Sequence, residues 1–214
     1  MHLTADTLNH LPRGQRVNLV NSLSGFKSAN LVGTCSDSGE ENLAMVGSCF
    51  HLGADPALMG MIMRPHSVER HSLEYLAATG VYTLNQVHED ILKAAHQTSA
   101  RYPREISEFS ATGLTPSYLP AFQAPFVEEA RIKLGMVVIE TQTLAVNDTV
   151  LVIGAIEHIL LPDNTVESDG FVNIERAGTV ALSGLDSYHR SQSIGRLSYA
   201  KPDKPTHWLH DNAT

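Results

Sequence analysis

Cysteine, lysine-rich runs and long apolar runs are scarce in this sequence. Its two cysteines, Cys35 and Cys49, form no CxxC pair, so neither a disulfide framework nor a paired-cysteine metal site is indicated. No apolar run approaches the roughly 20 residues that a membrane-spanning helix requires. The first twelve residues lack the charged start and apolar centre of a secretory signal. We therefore expect a cytoplasmic protein without a membrane anchor.

Positive charge is also limited. The chain has 15 Lys and Arg against 23 Asp and Glu, a net charge of −8, and the basic residues form no dense run. General binding to nucleic acid or to an anionic membrane is therefore disfavoured, although a local basic pocket is compatible with these numbers.

Several catalytic and nucleotide-binding motifs are missing. The patterns GxGxxG, GxxxxGK[ST] and GxSxG do not occur. SxxK occurs at Ser24–Lys27 and Ser198–Lys201 without companion motifs, which favours chance over a Ser-Lys hydrolase. The 11 histidines show no ligand spacing with carboxylate or thiolate support. We expect no metal site.

What is present predicts one mainly β domain with a few short helices. The 214 residues suffice for one sizeable core, and 43% of them are hydrophobic. Short apolar segments separated by turn residues predict strands, including a long hairpin turning at Asn147-Asp148. Long antiparallel strands joined by short turns favour a barrel. The predicted strands are 16–23, 28–34, 43–52, 57–63, 81–87, 132–146 and 149–161, and the predicted helices are 72–79 and 88–97.

The segment RPHSVERHS (64–72) is a candidate anion site. If Ser72 caps a helix that starts at Leu73, the free N–H groups of that helix face this loop. Arg64 and Arg70 can add charge-assisted hydrogen bonds, and the combination suits a phosphate monoester. Taken alone, the segment fits a solvated loop with a capping serine equally well.

Two further polar segments favour a ligand-binding site over a solvated loop. The stretch HQTSARYPREISEF (96–109) groups hydroxyl and basic side chains after a helix. The third predicted strand ends in Gly47-Ser48-Cys49-Phe50-His51, where small residues let the backbone approach a flat molecule. Together the three segments fit a ligand that has a phosphate at one end and a planar ring at the other.

These motifs resemble the flavin reductase-like FMN-binding split-barrel family, especially its flavoredoxin-type branch. The resemblance covers residues 16–202, between an N-terminal extension (1–15) and a C-terminal tail (203–214). The motifs that carry it are S(A)NLV, GSCFHL, RPHSVERHSLEYLAATGVYTLNQV, QTSARYPREISEF and the late stretch LSGLDSYHRSQSIGRLSYAKP. It implies a split β-barrel with antiparallel strands that forms a homodimer, with non-covalent FMN near the subunit interface. Trp208 in the tail either docks on the partner subunit or packs on its own surface.

The resemblance also implies cofactor-binding residues. Arg70 and Ser72 match positions that grip the phosphate, and Arg64 lies where it can help. Asn85 matches an asparagine at the end of the fifth strand, where a structural role is the alternative. Cys49 departs from the usual family triplet. The full set is Ser48, Cys49, Phe50, Arg64, Arg70, Ser72, Asn85, Thr98, Ser99, Ala100, Tyr102 and Tyr188, with Arg190 as a further candidate.

The function implied is that of an FMN-dependent oxidoreductase. A flavin carries the chemistry, so no catalytic acid, base or nucleophile is expected from the chain. NADH or NADPH would donate a hydride to FMN, and electrons would pass to a second acceptor. Two alternatives remain open: an FMN-binding electron carrier that serves a protein partner and has little NAD(P)H turnover of its own, and a barrel that binds another phosphorylated ligand.

Overall fold

A computed structural model describes residues 1–65 and 71–209. The strands are β1 (Lys27–Ser28), β2 (Asn30–Cys35), β3 (Glu41–Val46), β4 (Cys49–Ala54), β5 (Ala57–Met63), β6 (Val81–Gln86), β7 (Pro116–Ser117), β8 (Phe126–Val127), β9 (Lys133–Thr143), β10 (Val150–Leu160), β11 (Val180–Ser183) and β12 (Ser187–Arg190). The α-helices are α1 (Ala5–His10), α2 (Arg13–Ser22), α3 (His71–Thr79), α4 (Leu92–Gln97) and α5 (Glu108–Thr112). Short 3-10 turns cover Glu89–Ile91 and Asp163–Thr165.

Seven antiparallel strands form one curled sheet in the order β3-β2-β6-β9-β10-β5-β4. Laid flat, the outer strands β3 and β4 would lie roughly 29 Å apart, at about 4.8 Å per strand. However, Gly47 and Ser48 alone connect them, and this link spans at most about 11 Å. The sheet must therefore curl until its two edges meet as a split barrel.

The barrel interior is filled by apolar side chains that alternate along the strands. Met61, Tyr82, Met136 and Val152 are at most 1% exposed and pack against Leu76 of α3. Each fully buried side chain of this kind contributes roughly 1.5–3 kcal/mol to folding. A second cluster lies between β2, β3, α4, α5 and β11. The two clusters hold the helices against the sheet near the β3 edge.

A small three-stranded sheet in the order β1-β11-β12 lies beside the barrel. The Phe26 ring packs on the His189 ring at a centroid distance of 4.7 Å. The Lys27 ammonium donates to the Gly184 carbonyl at 3.0 Å. The N-terminal helices and the segment after β12 therefore leave from the same small sheet.

The predicted fold class, mainly antiparallel β with a few short helices in a split barrel, is confirmed. The strand predicted for 57–63 coincides with β5, and the 88–97 helix with the turn at Glu89–Ile91 plus α4. The long hairpin is present as β9 and β10, but its connection runs over 144–149, closed by a Leu144 N–H bond to the Thr149 carbonyl, instead of two residues.

Two predicted elements are wrong. Residues 16–23, predicted as a strand, belong mostly to α2, which also crosses the expected boundary at residue 15. Val17, Val20 and Leu23 are three apart, a spacing that suits a helix as well as the short alternation suits a strand. Residues 43–52 form two strands because the chain crosses the split at Gly47-Ser48. None of the described helices has the length and apolarity to cross a membrane.

Candidate functional site

The β3 edge is fixed by two buried polar contacts with segments that are distant in sequence. The Asn42 amide donates to the Ser72 hydroxyl of α3 at 2.7 Å. The Leu43 N–H donates to the Glu108 carboxylate of α5 at 3.0 Å. Because Asn42, Ser72 and Glu108 are each at most 7% exposed, these bonds are protected from water. They bring two of the three predicted ligand segments to the same strand.

The third segment crosses the split directly beside them. A Cβ added at Gly47 would lie 2.7 Å from Cδ2 of Leu182 in β11, so only glycine fits without displacing that side chain. The Ser48 hydroxyl donates to the Ile62 carbonyl of β5 at 2.7 Å. This bond commits the Ser48 side chain to the barrel wall and leaves its backbone as the part that can face a ligand.

Cys49 and Phe50 follow on β4 and differ in environment. Cys49 packs against the barrel core, and burial raises the pKa of its thiol to about 12. At neutral pH it is therefore a protonated, apolar filler. A Cβ added at Gly60 would lie 2.4 Å from Cζ of Phe50, so the Phe50 ring rests on the Gly60 backbone while 40% of the residue stays exposed. Phe50 offers an accessible flat apolar surface.

The candidate phosphate segment is partly described. Arg64 follows β5 and is exposed. Residues 66–70, including Arg70, lie outside the described part of the chain. Helix α3 begins at His71, so the expectation that Ser72 caps a helix starting at Leu73 is wrong. Ser72 lies in the first turn, where its hydroxyl accepts a bond from β3.

The segment after α4 has a buried start and an exposed continuation. Thr98 is 3% exposed, and its hydroxyl donates to the Ala95 carbonyl at 2.8 Å, which closes the end of α4. Ser99 and Ala100 are exposed, and the Tyr102 hydroxyl accepts from the Gln97 amide at 3.1 Å. Ser99 and Ala100 are thus the accessible members of the predicted set in this segment.

Arg104 ties this segment to α3. Its guanidinium forms an ion pair with Glu74 and lies over the Tyr75 ring, 5.7 Å from the centroid. The Tyr75 hydroxyl donates to the Glu40 carboxylate at 3.2 Å. Arg104 belongs to the polar segment 96–109, but its pairing with Glu74 across 30 residues leaves no local pattern in the sequence.

Tyr188 approaches the same region from the small sheet. Its hydroxyl shares a 2.7 Å hydrogen bond with Nδ1 of His96, and the two rings meet edge to face. Burial, with a smaller contribution from Asp186, raises the pKa of Tyr188. The contact joins β12 to the last turn of α4, immediately before Thr98. His96 is a neighbour of the site that its sequence spacing did not reveal.

Asn85 makes buried hydrogen bonds that fit the structural alternative to a cofactor contact. The residue is fully buried, and its amide donates to the Leu31 carbonyl and to the Thr83 hydroxyl. Its carbonyl oxygen accepts from the Val127 N–H. With its hydrogen-bonding groups used inside the barrel, Asn85 holds β6 to its neighbours and does not face the site.

Glu108 supplies an ionisable group beneath the site. Burial raises the pKa of this carboxyl, while the Leu43 N–H bond and the charge of nearby His71 oppose that rise. The QTSARYPREISEF motif contains Glu108, but no local pattern indicates that it reaches Leu43.

Arg190 lines a cleft that contains none of the three candidate ligand segments. It forms an ion pair with Glu89 at the rim of a cleft of about 330 Å³ beside the site. Asp90 and Arg131 form a second pair in the same cleft, 2.8 Å apart. Glu175 adds a third carboxylate to the lining, so the cleft carries no excess of positive charge that would favour a phosphate. Within the described residues, no group of three potential metal ligands occurs.

The fold is shared with several solved structures. A candidate flavin reductase with a split-barrel domain from Shewanella frigidimarina is 50% identical, covering 94% of this chain and 100% of that one, with a TM-score of 0.90. Nitrilotriacetate monooxygenase component B from Bacillus cereus is 18% identical over 92% of this chain and 98% of its own (TM-score 0.80). Flavoredoxin from Desulfovibrio vulgaris is 17% identical over 84% and 92% (TM-score 0.69). No curated protein matches.

The sequence also matches a family model directly. Residues 23–181 match the flavin reductase like domain. The chain belongs to this family, as its resemblance in sequence predicted. The match includes the β3 edge, α3 and the segment after α4, and it ends at β11, before Tyr188.

Proposed function

We propose that this protein is an FMN-dependent oxidoreductase that uses NADH or NADPH. When bound, FMN would accept a hydride from the nicotinamide and pass electrons on to a second acceptor. The chain's share is to hold the flavin, orient its ring and leave room for the donor. The observation that carries the proposal is the convergence of three ligand-type segments on the β3–β4 split of a family member.

The exposed groups there fit both ends of the cofactor. Arg64 offers a guanidinium for the phosphate, and Ser99 offers a hydroxyl. Phe50 presents a flat apolar surface for the ring. As outer strands, β3 and β4 each have one side without a strand partner in the described chain. Their backbone groups on that side can bond to the polar edge of the ring.

The predicted residues then divide into two roles. The groups proposed to contact FMN are Arg64, Phe50, Ser99, Ala100, Tyr102 and the backbone of Ser48. Arg70 stays in this set on the strength of the family motif. Ser72, Thr98 and Asn85 are buried, and Cys49 packs partly buried against the barrel core, so we assign these four to positioning the elements that carry the contacts. Tyr188 supports the segment after α4 through His96.

We further propose a cytoplasmic homodimer. Phe50 and Leu52 leave much of β4 apolar and exposed, at 40% and 45% of their surface. A second subunit that covers part of this edge would shield a bound ring from water.

A visible absorption spectrum of the purified protein tests the cofactor first. We expect a two-band flavin spectrum that survives gel filtration after FMN is added, and bleaching by NADH or NADPH under anaerobic conditions. A colourless protein that loses added FMN would favour a barrel for another phosphorylated ligand.

Turnover separates the enzyme from the carrier. Steady oxidation of NAD(P)H with excess FMN or a ferric complex supports the oxidoreductase. Retained flavin that is reduced by a partner protein, but not by either nicotinamide, supports the electron-carrier alternative.

Substitution of the two arginines tests the phosphate end. We expect Arg64→Ala and Arg70→Ala each to weaken FMN binding by about 1.5–3 kcal/mol, since each removes hydrogen bonds to a charged group. Riboflavin, which lacks the phosphate, should bind wild type and variants about equally in the same fluorescence titration. An equal loss for both ligands would contradict a phosphate contact.

A further inference from the structure

The segment that follows the small sheet forms a hairpin with an unusually exposed apolar surface. Residues 196–209, here named the terminal hairpin, are closed by a Ser198 N–H bond to the His207 carbonyl and a Leu209 N–H bond to the Arg196 carbonyl. Tyr199 is 89% exposed and Trp208 is 51% exposed. Exposed aromatic groups of this kind are enriched in protein interfaces.

The hairpin is held in place at its base. The Arg196 guanidinium pairs with Asp169 at 2.7 Å and stacks on the Phe171 ring, 4.1 Å from its centroid. Its other end carries Lys201 and Lys204, which face each other across an isolated β-bridge. Neither ammonium has a carboxylate partner in the part of the chain that the structure describes. Asp203 lies between them in the same turn, so the end of this fixed arm carries a net charge of +1.

Acidic and basic residues are unevenly distributed between the barrel and the two terminal segments. Residues 29–186 carry 20 Asp and Glu against 8 Lys and Arg, whereas residues 1–28 and 187–214 together carry 7 Lys and Arg against 3 Asp and Glu. Two copies of a protein with net charge −8 repel each other unless surfaces of unlike charge meet. Charge therefore favours a contact in which a terminal segment of one copy meets the barrel of the other.

The exposed parts of β9 and β10 provide a matching acidic and apolar face. Ile139 and Glu157 are the extra residues at two register shifts of this strand pair, and such bulges turn side chains outward. Ile139 is 60% exposed and Ile159 is 59% exposed. Glu140 and Glu157 are exposed and have no cationic partner among the residues described.

We propose that the terminal hairpin of one subunit docks on the exposed face of β9 and β10 in a second copy of this chain. Lys201 and Lys204 would meet Glu140 and Glu157, while the aromatic side chains of the hairpin cover the exposed isoleucines. The proposal rests on the homodimer proposed above and gives it a specific contact.

A charge-reversal exchange tests this contact. Light scattering after gel filtration should give wild type twice the 23.3 kDa chain mass. In Lys201→Glu/Lys204→Glu, we expect the dissociation constant of the dimer to rise by about tenfold or more. Adding Glu140→Lys/Glu157→Lys should restore it to within about threefold of wild type. The matched control, Arg13→Glu/Lys93→Glu, makes the same change in net charge at two exposed positions outside the proposed contact. It should raise the constant clearly less than the hairpin variant does.

The outcomes are decisive in either direction. If the hairpin variant weakens the dimer and the added Glu140→Lys/Glu157→Lys exchange restores it, the contact is supported. If the exchange does not restore the dimer, the β9–β10 face is not the docking surface. Unchanged association in the hairpin variant, or a wild type that is monomeric at all concentrations, overturns docking by the hairpin. FMN titration of the same samples reports on the flavin separately, because retained binding in any of them leaves the proposed function intact. Circular dichroism confirms that each variant is folded.

Discussion

The two outer strands of the barrel, β3 and β4, are built in opposite ways. On β3, Asn42 and Leu43 are buried, and both bond to groups beyond the sheet. On β4, Phe50, His51 and Leu52 are exposed. One edge of the split is therefore fixed by polar contacts, and the other presents its side chains to solvent. This difference indicates that polar contacts make the β3 edge rigid, whereas β4 has exposed side chains that can contact a ligand.

The largest expected effect comes from making the same substitution on each edge. Leu43→Ala should lower the free energy of unfolding by about 3 kcal/mol, because it leaves a cavity in a fully buried position. Leu52→Ala, at a position 45% exposed, should lower it by less than about 1 kcal/mol. Urea unfolding measures both. Equal losses would remove the contrast between the edges.

A smaller effect is expected from the polar contact of β3 with α3. Asn42→Ala should destabilise the fold by about 2 kcal/mol, since it removes the buried bonds that the Asn42 amide donates to the Ser72 and Thr34 hydroxyls. With Ser72→Ala and the double variant, a mutant cycle should give a coupling of about 1 kcal/mol. Strictly additive losses would show that the two side chains do not stabilise each other.

Substitution of Phe50 on β4 should affect flavin binding more than the stability of the fold. We expect Phe50→Ala to weaken FMN and riboflavin alike by about 1 kcal/mol, because it removes a stacking surface and not a charge. Its unfolding free energy should change less than that of Leu43→Ala. Flavin affinity that does not change would place the ring away from β4.

The smallest effect is a pH trend at Glu108. A carboxyl whose pKa is raised in the folded state binds more protons when folded, so its contribution to stability falls as pH rises from the ordinary glutamate value, about 4.3, through the folded value. Glu108→Gln lacks this titration. The stability of wild type relative to Glu108→Gln should therefore decline as pH rises, when measured by urea unfolding from pH 4 to 7. A constant difference would contradict a raised pKa.

Much of the sheet was predictable because its strands carry strong local patterns. The run ALMGMIM gave β5, and the long apolar segments around Asn147 gave β9 and β10. Helix α2 was missed because Val17 and Leu19 alternate over too short a stretch, and none of its residues is buried, so the core does not constrain its period. The break at Gly47 was missed because apolar residues continue on both sides of it.

The site was predictable as segments but not as contacts. The hydroxyl and basic clusters at 64–72 and 96–109 are visible in sequence, and the split brings their described parts to β3. The pairing of Asn42 with Ser72, or of Leu43 with Glu108, depends on how the chain folds back over 30 and 65 residues. Side-chain composition carries no signal for such a partner. For the same reason, the hydrogen-bond partners of Asn85 and Thr98 emerged from the structure alone.

The two-residue link at Gly47-Ser48 has a consequence for how this fold can vary. Because it joins strands from opposite edges of the sheet, its length determines how wide the split can be. Family members should therefore tolerate changes of residue type at Ser48 more readily than insertions between β3 and β4. An inserted residue would relax this covalent constraint on the gap and widen the split. The length of one short connection therefore limits the distance between the two edges of the barrel.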